Sequence, residues 1–96
     1  MALKTANFTL SGSAQPLATE TTPVTLLIIE SATSNADVKI GDNTLTATIY
    51  GMTLEDGPTA RITLGPWGGG TSPINLQHIY VLGTGSQIIH LTYVPL

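Results

Sequence analysis

Cysteine is missing from the 96 residues, which removes disulfide staples, thiolate metal sites and thiol nucleophiles together. It leaves the redox compartment open. Charge is nearly missing as well: Lys4, Lys39 and Arg61 stand against Glu20, Glu30, Asp37, Asp42, Glu55 and Asp56. An ordinary domain has about a quarter of its residues charged. Three basic residues cannot neutralise a run of phosphates, so no nucleic acid is expected as a partner. Long apolar runs are absent too. The longest, within "VTLLIIE" (residues 24 to 30), is far too short to cross a bilayer, and "MALKTANFTLSGS" lacks the apolar run of a signal peptide. No membrane association is expected. The Asn7-Phe8-Thr9 sequon carries little weight without a secretion signal.

Catalytic groups are equally scarce. His78 and His90 are the only candidate bases, and Glu55-Asp56 is the only acidic doublet, inside a turn signal. "GTGSQI" lacks the third glycine and the following helix of a dinucleotide site, and "GGGTS" lacks the lysine and helix of a phosphate loop. Two histidines without two further ligands do not make a metal site. The reading is therefore no enzyme: no catalytic residues, no cofactor and no metal.

What the chain does contain is threonine, sixteen of them, with six serines. Threonine favours strands and supplies polar surface without a large desolvation penalty. Short alternating runs are cut by turn residues throughout. "NFTLSGSA", "ADVKIGD", "TLTATIYG", "TARITLG", "NLQHIYVLG" and "SQIIHLTYV" read as strands. "AQPLATETTP" reads as a loop or edge segment, and "VTLLIIES", apolar on both faces, as a strand lying centrally or meeting another subunit. No stretch has a capped helical period. The expected fold is all-β: one antiparallel β-sandwich of seven to eight strands over residues 7–96, behind a flexible arm at residues 1–6.

The inward faces predict a core of Phe8, Leu10, Val38, Ile40, Leu45, Ile49, Ile62, Leu64, Ile79, Val81, Ile89, Leu91 and Tyr93. A three-residue Gly83-Thr84-Gly85 loop would pair Leu82 with Ser86 and His78 with His90, opposing the histidines on the outer face. Protonating both would then weaken an assembly that buried them.

The order "ADVKIGD", "YGMTLEDGPTARITLG" and "NLQHIYVLGTGSQIIHLTYV" resembles small virion proteins of tailed bacteriophages. The resemblance rests on Val38 to Asp42, on Gly51, Leu54 and Gly57, on Asn75, Leu76, Ile79, Tyr80, Val81 and Gly83, and on Tyr93. It spans roughly residues 35 to 94, positions of core and turn. His78 departs from the family's acidic or polar residue before "IYV", and "PWGGGTSP" is an elaboration. The resemblance implies a jelly-roll-like sandwich serving as a capsid decoration (cementing) protein. Such a protein is assembled in the host cytoplasm, sits on the virion surface and contacts the major capsid protein. The alternative is a tail-tip, fibre or carbohydrate-recognition module. Five aromatic residues, with only Trp67 in an obvious loop, favour the structural role.

Low charge and the two-faced "VTLLIIE" predict a homo-oligomer, expected as a trimer, with Leu27 and Ile29 at the contact. Trp67 beside Gly68, Gly69 and Gly70 is either a plug for its own core or an anchor for another chain. The expectation is an anchor, with Met1, Ala2, Leu3 and Lys4 of the arm as a second contact.

Overall fold

A computed structural model of the chain describes residues 3–31, 37–46, 48–55, 60–65, 74–85 and 87–96. Its strands are β1 (Lys4–Thr9), β2 (Gln15–Pro16), β3 (Pro23–Ser31), β4 (Val38–Gly41), β5 (Met52–Leu54), β6 (Arg61–Leu64), β7 (Ile74–Asn75), β8 (Tyr80–Leu82) and β9 (Ile88–Pro95). They form two antiparallel sheets, ordered β1-β9-β3-β6 and β2-β8-β4-β5, with the short β7 added beside β3.

That order follows from one nested set of pairings. β4 pairs with β5, β3 with β6, β2 with β8 and β1 with β9, like one long hairpin bent back on itself. Rolling the hairpin brings β9 against β3 and β8 against β4. The result is a jelly roll. The all-β sandwich expected from the alternating runs is what forms, with nine strands among the described residues, two of them only two residues long.

Between the sheets lie Leu27 and Ile29 of β3, Ile89 and Leu91 of β9, Val38 and Ile40 of β4, Leu54 of β5 and Val81 of β8. Leu10, Leu17, Val24, Leu76 and Ile79 close the ends. Phe8, Ile62, Leu64 and Tyr93 pack against this cluster while half-buried. β3 is central, as its doubly apolar sequence requires, with β9 on one side and β6 on the other. Its inward residues, however, are Leu27 and Ile29, both 0% exposed. They form the subunit's own core and cannot be the contact with another chain. The outward residues are Leu26 and Ile28.

Three other expectations are corrected. The described residues of "TLTATIYG" form turns and bends, not a strand. Asp42 starts a tight turn, with the N–H of Leu45 donating to its carbonyl at 3.0 Å, and Thr46 closes a second turn with Ile49. Ile49 is 58% exposed and outside the core. Leu45 is buried, but over Gly41: a Cβ on Gly41 would come within 3.2 Å of Leu45 Cδ1.

Next, β8 and β9 are not a hairpin. β8 pairs with β2 and β4, and β9 with β1 and β3, so the chain changes sheets between them. Finally, β1 begins at Lys4, so residues 4–6 are sheet and not arm. The sequence reading also missed a one-turn 3-10 helix, Leu76–His78, capped by the Asn75 side chain.

Candidate functional site

The two histidines lie apart. His78 ends the 3-10 turn beside β8, and His90 stands on the outer face of β9. The like-charge pair that a hairpin would have made does not exist. Among the described residues no three His, Cys, Asp or Glu side chains gather where a metal ion could be held. No helix among them is long and apolar enough to cross a membrane.

Two surface regions stand out. The first is the outer face of the five-stranded sheet, which the register builds in rows. Asn7, His90, Glu30 and Arg61 form one row, and Thr5, Thr92, Ile28 and Thr63 the next. Leu26 and Val94 pair beyond them, and Ile88 faces Thr9 at the other end. Leu26, Ile28, Ile88 and Val94 are all half-buried. The charged groups on this face compensate each other, with Arg61 Nη2 3.8 Å from Glu30 Oε2. His90 Nδ1 lies 2.6 Å from Asn7 Oδ1. The face is nearly neutral: the polar row of Asn7, His90, Glu30 and Arg61 crosses it, with Ile88 on one side and the threonine row, Ile28, Leu26 and Val94 on the other.

The second region is at the far end of β4. Asp42 Oδ1 accepts the Thr44 N–H at 2.9 Å and the Thr44 hydroxyl at 2.5 Å. The hydroxyl bond first, then the backbone bond, holds the Asp42 carboxyl below its ordinary range. Opposite, Asn75 Oδ1 accepts the N–H groups of Gln77 at 3.0 Å and Thr22 at 2.8 Å. Gln77 ties the 3-10 turn to the β2–β3 loop: its Nε2 donates to the Thr19 carbonyl at 3.2 Å, and its Oε1 accepts from the Thr21 hydroxyl at 3.3 Å. Between these two fixed turns lies a hollow of about 450 Å³ lined by Asp42, Asn43, Gln77, His78 and Tyr80. A smaller one, about 260 Å³, continues past Asp42 to Ile49 and Tyr50. Lys39 Nζ sits 4.2 Å from the centre of the Tyr50 ring, a cation–π contact.

Of the residues expected at contacts, Trp67, Gly68, Gly69, Gly70, Met1 and Ala2 lie outside the described residues. Leu3 is 62% exposed, and Lys4 is exposed at the start of the edge strand β1. The sequence gives Asn43 and Tyr50 no site role, and Tyr80 only a place in the resemblance. Nothing local to "GDN" signals that a turn some thirty residues later will face it. Comparison with family models, curated proteins and solved structures gives no match.

Proposed function

We propose that the chain is a structural virion component: a capsid decoration subunit that cements the outside of a tailed-phage head. The carrying observation is the outer face of the five-stranded sheet. It presents Leu26, Ile28, Ile88 and Val94 around one self-compensated ion pair, a surface that can be covered without stranding a charge. A jelly roll is compatible with this role but does not imply it. The resemblance of residues 35 to 94 to small phage virion proteins points the same way. On this reading the partners are further copies of the chain, as a trimer, and the major capsid protein. Trp67 with its glycines, and the chain start through Leu3 and Lys4, supply further contacts.

The test is pelleting of purified protein with heads that lack it. Wild type is expected to sediment with heads, and Leu26→Glu combined with Ile28→Glu is expected to stay in the supernatant with an unchanged circular dichroism spectrum. Trp67→Ala is expected to weaken attachment by ~2 kcal/mol without unfolding the subunit. Wild type that never pellets, or a double variant that pellets like wild type, overturns the reading.

A further inference from the structure

We propose that the hollow between Asp42-Asn43 and the 3-10 turn is a binding site for a neutral hexopyranose unit, free or at the end of a polysaccharide. This function is additional to head attachment and uses a different surface. Some polar groups of the hollow are already occupied. Both ends of the Gln77 amide are bonded to the neighbouring loop, and Asp42 Oδ1 is bonded to Thr44. These groups build the walls. The Asn43 amide, the His78 ring and the Tyr80 hydroxyl have no hydrogen bond with any described residue, although all three line the hollow. Together they offer a mixture of donors and acceptors at one place. Neighbouring sugar hydroxyls, each both donor and acceptor, match such a mixture.

The other ligand classes fit less well. No lysine or arginine is among the described residues lining the hollow, so a phosphate or carboxylate would meet only Asp42 as a charged group. One carboxylate is too few for a cation site, and no metal-holding cluster includes it. The lining is too polar for a lipid chain. What remains is a neutral, hydroxyl-rich ligand.

Aromatic surface supplies the second half of the recognition. Tyr80 is half-buried in the wall, and Tyr50, 46% exposed, stands at the adjoining hollow. Either ring can take the C–H face of a pyranose while the planar polar groups take its hydroxyls. A pocket of about 450 Å³ is within the size range of small-molecule sites. The Asn75 cap and the Asp42 turn hold the walls before any ligand arrives, which lowers the cost of ordering them on binding.

The experiment is a nuclear magnetic resonance titration of the full chain with D-glucose, D-galactose and N-acetyl-D-glucosamine, and separately with dextran. At least one probe is expected to shift the Asn43 and His78 amides and the Tyr80 ring signals saturably at millimolar concentration. Saturation by a monosaccharide marks a free-sugar site, and saturation by dextran alone marks a polysaccharide end. Asn43→Ala combined with His78→Ala is expected to weaken that binding about tenfold or more. Both residues are at the surface, and the double variant's spectrum elsewhere should match wild type. The proposal is overturned if no probe shifts these signals, if the shifts survive in the double variant, or if only phosphate or a divalent cation produces them. None of these outcomes touches head pelleting, which depends on the opposite sheet.

Discussion

At Gly83, where the chain leaves β8 to cross between sheets, an added Cβ would lie 2.5 Å from Leu10 Cδ1 and 2.7 Å from Gln87 Oε1. Both neighbours are buried, and Gln87 Oε1 already accepts the Thr84 N–H at 3.1 Å. Gly83→Ala must therefore displace two packed side chains at once, and is expected to cost about 1–3 kcal/mol in urea unfolding. Asp42 is a second residue with a readable consequence. Its folded carboxyl titrates below the ordinary range because Thr44 bonds the ionised form. The sign follows: the ionised turn stabilises the fold above about pH 4, and this contribution is lost as pH falls through the lowered folded value. Asp42→Asn keeps an acceptor oxygen at the turn but removes the titration. Its stability should fall less steeply than wild type from neutral pH into acid, measured by urea midpoints across that window.

Among the elements, the stretch that follows β4 shows what alternation can hide. Leu45, Ala47 and Ile49 against Thr44, Thr46 and Thr48 has the period of a half-buried strand. Yet the Thr46 hydroxyl accepts the N–H groups of Thr48 at 3.3 Å and Ile49 at 3.0 Å, and so satisfies the backbone locally. Ile49→Ser is accordingly expected to change stability by no more than about 0.5 kcal/mol. In a core strand the loss would be about 2–5 kcal/mol, as for other large core truncations, so the urea midpoint separates the two. β4, β6 and β9 were legible because their alternation coincides with burial in the sandwich, and β3 was legible as a doubly apolar run. The direction of β3 was not legible, since Leu26 and Ile28 have the same character as Leu27 and Ile29. The β8–β9 connection was misread because a short glycine-rich link serves equally for a hairpin and for a crossing between sheets. In the candidate site, the meeting of Asn43 with His78 and Tyr80 is made by long-range pairing and has no local signal. Gly41 lies opposite Tyr80 only because β4 and β8 are neighbours in the rolled sheet.

In the whole molecule, the two sheets pack face to face, so their outer surfaces point in opposite directions. One carries the face of Leu26, Ile28 and Val94. The other carries Lys39, Tyr80 and Leu82, which alternate along their strands with the inward-pointing Ile40 and Val81. Attachment through the first would leave the second, with Tyr50 and the polar hollow, turned away from the shell. Hydroxyl-radical footprinting of the protein on heads, compared with the free protein, reads this orientation directly. Leu26, Ile28 and Val94 are expected to lose most of their reactivity on attachment, while Tyr50 and Tyr80 keep theirs. Attachment by edge strand β1 alone would protect Leu3 and Phe8 and spare Leu26 and Ile28, because a strand edge covers backbone and not the sheet face. Protection of the tyrosines with Leu26 and Ile28 left reactive would reverse the assignment of the two faces. The hollow would then be part of the contact with the shell, and saccharide binding and head attachment would compete.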